Sequence, residues 1–274
     1  MRSNSLIILL ICACFFSGLR VSASPVAVHH KEGLLHGFLS LSSLDGKLIA
    51  EGDVTQFAHE GHITIHTIFH FKDGSLQDET AIFSQNHYFR LVSYHLVQKG
   101  PAFQRAIETS IVVPTGQVTV RYTDDDGKEK TTTERMNLPP DLANGLVPIL
   151  AQNLPSDASQ TEVSMVVATP KPRLIKLAIN QQGTEGFTVG ASSRQAIHYV
   201  VKFEIGGVAG MVAPLVGKQP PDSHIWVLGG EAPVVVKSES VSCMGGPVWR
   251  TELLSPTWPK NTAAESKASG AEAR

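Results

Sequence analysis

Three Asp-Gly pairs, Asp45-Gly46, Asp73-Gly74 and Asp126-Gly127, each sit between short runs of branched and aromatic residues. Asp and Gly tolerate the positive φ that tight hairpins require, so each pair reads as a reversal between antiparallel strands. The flanking text agrees. HGFLSLSSL precedes the first pair and KLIAEGDVTQF follows it; HITIHTIFHF precedes the second and QVTVRYTD the third. Within His62–Phe71, residues Ile63, Ile65, Thr67, Phe69 and Phe71 share one face, and His62, Thr64, His66, Ile68 and His70 share the other. A period of two marks a strand with one face on a core. These features predict a β-meander.

More strand-like text follows at residues 87–97, 105–113, 117–122, 162–168, 173–180, 187–190 and 195–206, then in HIWVL, APVVVKSE and VWRTELL. One stretch differs. NLPPDLANGLVPILAQNLP places Leu142, Leu146, Ile149 and Leu150 on one helical face. Pro139 and Pro140 suit a first turn, while Gly145 and Pro148 weaken the middle, so a short, kinked helix is expected. No polar linker separates the two β-rich halves, about residues 34–138 and 160–258. The expected fold class is mainly β: one large curved antiparallel sheet, a half-barrel, covered by one short helix, in a single domain over residues 34–258.

The ends read differently. MRSNSLIILLICACFFSGLRVSASP combines a positive start at Arg2, a short apolar run and small residues at Val21-Ser22-Ala23, the pattern of a secretory signal over residues 1–23. The run is too short to span a bilayer. Its removal takes Arg2 and Arg20 and no acid, moving the formal charge from -2 to -4. Such a balance offers no basic surface for nucleic acid. It also takes Cys12 and Cys14, leaving Cys243 alone, so no internal disulfide staples the mature chain. Cys14, preceded by Ala13, is the alternative lipid acceptor. Residues 24–33 read as a flexible lead. Residues 259–274, PKNTAAESKASGAEAR, read as a disordered tail. The expected location is periplasmic or secreted.

Motifs for chemistry are sparse. His62, His66 and His70 would converge on a helix, but neighbouring members of the row lie roughly 13 Å apart on a strand and cannot share one ion. A shared metal site would draw on His87 or His95 from a neighbouring strand. His59-Glu60-Gly61-His62 lacks the zincin spacing. Gly186-Phe187-Thr188-Val189-Gly190 has the shape of a nucleophile elbow, with Thr for Ser and no helix after it. Asp124-Asp125-Asp126-Gly127 lacks the spaced acids of a calcium loop. Arg173 and Arg250 are candidates for an anionic head group, or for pairing with a carboxylate such as Glu252. No catalytic residue, metal site or cofactor is predicted.

GGVAGMVAPLVGKQPPD, residues 206–222, carries no charge up to Gly217 and lacks the spacing of a phosphate loop. Its apolar members Val208, Met211, Val212, Leu215 and Val216 are expected either to pack under the sheet or to form an apolar lip. With Trp226, they are the candidate ligand-binding residues.

The segments KDGSLQDETAIF (residues 72–83), FRLVSYHLVQKGPAF (89–103), PPDLANGLVPIL (139–150) and HIWVL (224–228), with their order, resemble the DUF3108 envelope proteins of bacteria. These are related to the periplasmic lipoprotein-carrier half-barrel group. The resemblance spans about residues 35–255 and implies a non-enzymatic envelope protein holding a lipid or other hydrophobic ligand in a β-cup. Two other functions are carried forward. One is a structural or assembly factor pairing with an envelope partner. The other is a metal-dependent hydrolase using His66, His87, His95 or His224.

Overall fold

A computed structural model describes residues 25–155, 158, 160–204, 220–243, 245–254 and 256–258. The first half is a run of eight strands: β1 (Leu35–Ser43), β2 (Leu48–His59), β3 (His62–Phe71), β4 (Leu76–Gln85), β5 (Phe89–Lys99), β6 (Ile107–Val112), β7 (Gln117–Thr123) and β8 (Glu129–Arg135). A helix, α1 (Val147–Gln152), follows. Then come β9 (Thr161–Val167), β10 (Arg173–Val189), β11 (Ser192–Glu204), β12 (Ser223–Leu228), β13 (Val234–Val241), β14 (Val248–Leu253) and β15 (Pro256–Thr257). Among the described residues, no helix is long and apolar enough to cross a membrane.

Fourteen strands form one antiparallel path, β15-β10-β11-β12-β13-β14-β1-β2-β3-β4-β5-β6-β7-β8, and β9 pairs beside β15 on the outer edge of β10. Two meanders are therefore stitched together where β1 meets β14, from Leu39 opposite Leu253 to Ser43 opposite Trp249. The sheet curves so that its halves face each other. Ile63, Phe83, Ile111 and Val118 from the first meander share one buried cluster with Val163, Leu177, Tyr199 and Val227 from the second. The mainly β, curved, antiparallel architecture with one short helix is as expected from sequence.

The three Asp-Gly hairpins share one geometry. In each, the residue two before the Asp accepts a bond from the Gly amide and donates its own amide to the residue after the Gly: Ser43 with Gly46 and Lys47, Phe71 with Gly74 and Ser75, Asp124 with Gly127 and Lys128. Only the glycines have positive φ, +88°, +84° and +77°. These are three-residue loops, a type I turn followed by a left-handed glycine, rather than turns with positive φ at both central residues. The latter conformation occurs at Glu60-Gly61, with φ of 50° and 79°.

Two elements differ from the sequence expectation. β10 is a single strand of 17 residues, where breaks in the apolar text suggested two. A bulge between Gln181 and Gly183 absorbs the irregularity while pairing with β11 continues. The helix is shorter than the Pro139–Gln152 pattern suggested. Pro148 stands at its start, where a missing N–H costs nothing, and does not kink it. The residues before it run irregularly as a plug inside the sheet. Residues 25–33, read as a lead, are docked: Val26 is buried and bonds Phe89, and Asn153 Oδ1 accepts from the amides of His29 and His30.

Candidate functional site

The inner surface of the sheet is the concave face. Register places Ile65, Ala81, Tyr94, Ile111 and Val118 in one cross-strand row, and Thr67, Glu79, Leu96, Thr109 and Val120 in the next. The plug, residues 139–153, lies on the first row. Leu142, Ala143, Leu146, Ile149, Leu150 and Ala151 are all nearly inaccessible. At Gly145 the contact is so close that a Cβ would lie 2.9 Å from the Ala81 methyl and 3.1 Å from the Tyr94 ring; its φ of +71° also requires glycine.

The plug is held by polar bonds to β9. Asn144 donates from Nδ2 to the Val166 carbonyl and accepts the Val166 amide on Oδ1, both at 2.9 Å. The Ala143 amide donates to Ser164 and the Ser164 amide to Asp141. Ser164 Oγ donates to Asp141 Oδ2 at 2.8 Å, and Lys176 Nζ donates to Ser164 Oγ at 2.8 Å. A serine, lysine and aspartate within bonding distance resemble nucleophile machinery, yet Ser164 is completely buried and its proton already points at Asp141. The group fastens the plug. Nothing in the sequence spacing singled it out, because its members come from three separate segments.

Beyond the plug the inner wall stays partly accessible. Ile65, Leu96, Ile107 and Tyr122 on the first meander, and Ile175, Ile197, Phe203 and Val235 on the second, are half-buried apolar side chains bordering the core. Among these side chains sits the Glu79 carboxyl, paired with Tyr94. Tyr94 Oη donates to Glu79 Oε1 at 2.8 Å. Burial raises Glu79 above its ordinary 4.5, and the Tyr94 hydrogen bond opposes that rise. Burial also pushes the Tyr94 hydroxyl well above 10, with the Glu79 charge adding to it. Thr109 Oγ1, in the same row as Glu79, is buried without a hydrogen-bond partner. The arrangement is an apolar wall with one acceptor-rich polar spot.

Of the candidate ligand residues, Val208, Met211, Val212, Leu215 and Val216 lie outside the described residues. Trp226 lies on the outer face of β12, opposite the cup-lining Ile225 and Val227. It belongs to a second small core with Phe187, Ala196 and Val236. Lys237 Nζ lies 3.6 Å from its ring centroid and 4.0 Å from that of Trp258, and the His198 ring stacks on it at 4.5 Å. This aromatic box is filled by its own cation. Burial lowers the Lys237 pKa, with Glu239 opposing and Arg250 reinforcing the shift. Burial likewise lowers His198, against the pull of Glu185.

The histidine row lies on the outer face of β3, as the alternation predicts. His66 of this row pairs with Asp78 on β4 at 2.9 Å, and His95 on β5 pairs with Glu108 on β6 at 3.1 Å. His224 shares a 2.9 Å contact with His198. Among the described residues, no three His, Cys, Asp or Glu side chains converge on a point that suits a metal. Arg250 bonds Glu239 at 2.8 Å, rather than the Glu252 suggested by sequence proximity.

No protein-family profile matches the chain, and no curated protein matches it significantly. The resemblance to DUF3108 proteins and lipoprotein carriers therefore stays a reading of the sequence. Among solved structures, the chain is similar to a crystal structure described as a beta-barrel-like protein of domain of unknown function DUF1849 from Brucella abortus. Identity is 8%, the TM-score is 0.45, and the match covers 84% of this chain and 99% of that one.

Proposed function

We propose that this chain is an exported, non-enzymatic protein of the cell envelope that holds a hydrophobic ligand against the inner wall of its curved sheet. The observation carrying this reading is the set of half-buried apolar side chains Ile65, Leu96, Ile107 and Tyr122, left accessible beyond the plug around the Glu79–Tyr94 pair. Well-packed interiors leave few such surfaces. A wall of this kind with few polar groups suits an elongated apolar molecule. Tyr94 already donates to Glu79 Oε1, so the spot still accepts hydrogen bonds; it favours a ligand end that donates, a hydroxyl, amide or ammonium, over a free carboxylate.

Native mass spectrometry of gently purified full chain, with titration of a fluorescent fatty alcohol, tests the reading. Saturable uptake is expected. Leu96→Arg, which puts a charge in the wall, is expected to weaken it at least tenfold, about 1.4 kcal/mol. Absence of both a bound small molecule and saturable uptake would remove the proposal.

A further inference from the structure

The two margins of the sheet are treated differently. At one, the outer edge of β9 is closed by the chain itself, through the bonds of Asp141, Ala143 and Asn144 to Ser164 and Val166. At the other, among the described residues, β8 has β7 as its single neighbour in the sheet order. Unpaired strand edges template pairing with other chains unless blunted. β8 reads Glu129-Lys130-Thr131-Thr132-Thr133-Glu134-Arg135, and most of it is exposed.

The backbone bonds define which groups are free. Asp124 donates to Lys128 and Met136 to Gly116, fixing the even-numbered residues of β8 as those that bond β7. Residues 129, 131, 133 and 135 therefore turn their amides and carbonyls to the open edge. A second β8 laid antiparallel must pair these odd residues with odd residues. Centred on Thr132, that register sets Glu129 opposite Arg135, Lys130 opposite Glu134, and Thr131 opposite Thr133. By two-fold symmetry each of these pairs occurs twice. Moving the centre to Thr131 or Thr133 sets charges against threonines instead. Opposite charges and Thr–Thr pairs directly across a ladder stabilise it, and like charges oppose it.

We propose that β8 is a self-complementary edge through which two copies of this chain pair about a two-fold axis at Thr132, extending the sheet from one copy into the other. Glu129–Arg135 pairs lie on its outer face, with Thr131 and Thr133. Lys130–Glu134 pairs lie on its inner face, because Thr132 stands opposite the core residue Val120. Lys130 now lies 3.6 Å from Asp124 in an exposed pair and keeps enough freedom to reach across. The charges that shield the edge from unrelated strands thus select its own copy. The inference is independent of what the cup holds.

Light scattering of the full chain at about 100 µM, a concentration that populates micromolar complexes, is expected to give twice the monomer mass. Glu129→Arg and Arg135→Glu, each made alone, place like charges opposite and are expected to weaken association at least tenfold. The double variant E129R/R135E restores opposite charges and is expected to regain it. Thr131→Pro removes only a free-edge donor and is expected to abolish association without unfolding, checked by circular dichroism. In a chain carrying C12S, C14S and C243S, Thr132→Cys is expected to cross-link to itself on oxidation. Thr131→Cys alone is not, because only a central pair brings identical residues to disulfide distance. A wild-type monomer under these conditions, or a double variant as weak as the single ones, would overturn the proposal.

Discussion

Glu79 is the residue whose environment departs furthest from its sequence context. LQDETAIF runs polar from Gln77 to Thr80 and apolar from Ala81 to Phe83, and it is pairing with β3 and β5 that places Glu79 beside Ala81 on the inner face. Its partner Tyr94 is 15 residues away on the next strand, so the hydrogen bond depends on a register that one sequence does not print. The raised carboxyl has a consequence for stability. The folded state keeps its proton to higher pH than the unfolded chain does. Its contribution is full below about 4.5 and is lost as pH rises through the folded value. Glu79→Gln keeps an acceptor for Tyr94 and removes the charge. Relative to wild type, this variant is expected to gain stability as pH rises from about 4.5 to 8. Urea-unfolding midpoints across that range measure it; a constant difference would show that Glu79 does not titrate in the fold as described.

At the scale of elements, the sequence announced three of the hairpins through their Asp-Gly pairs, because turn chemistry is local. The third pair implied a partner for β7, yet β8 itself, Glu129–Arg135, is charged and threonine-rich text that resembles a solvated loop. Its strand character comes from pairing with β7. The plug was legible as an apolar helical face at Leu142, Leu146, Ile149 and Leu150. Most of it is not helical, because Asp141 and Asn144 bond β9 rather than their own backbone. That anchoring defines a measurable cost. Asn144→Ala leaves both the amide and the carbonyl of Val166 buried without partners. With each such group costing about 1–3 kcal/mol, a loss of about 2–6 kcal/mol is expected in chemical denaturation. A loss under 1 kcal/mol would mean that the plug is held by its apolar contacts alone.

At the scale of the molecule, the pairing that decides the architecture joins the two ends of the chain. β1 and β14 are more than 200 residues apart, and no local pattern predicts such a contact. The sequence did show that no polar linker divides the β-rich halves. Trp249 occupies the junction from the inner side, 5% exposed, against Phe71 at 5.3 Å and Phe103 at 6.0 Å between ring centroids. The cluster it forms draws on β1, β2, β3 and β14, so it binds both meanders. Trp249→Ala removes a large aromatic side chain from a packed site, and about 3–5 kcal/mol of destabilisation is expected. Because the main core also mixes both meanders, that loss should fall on the whole molecule. Calorimetry is expected to show one unfolding transition in wild type and one in the variant, moved to lower temperature. If the halves were held by separate cores, the variant would instead split the trace, with one transition in place and the other displaced. A single shifted transition therefore distinguishes one stitched sheet from two adjoining ones.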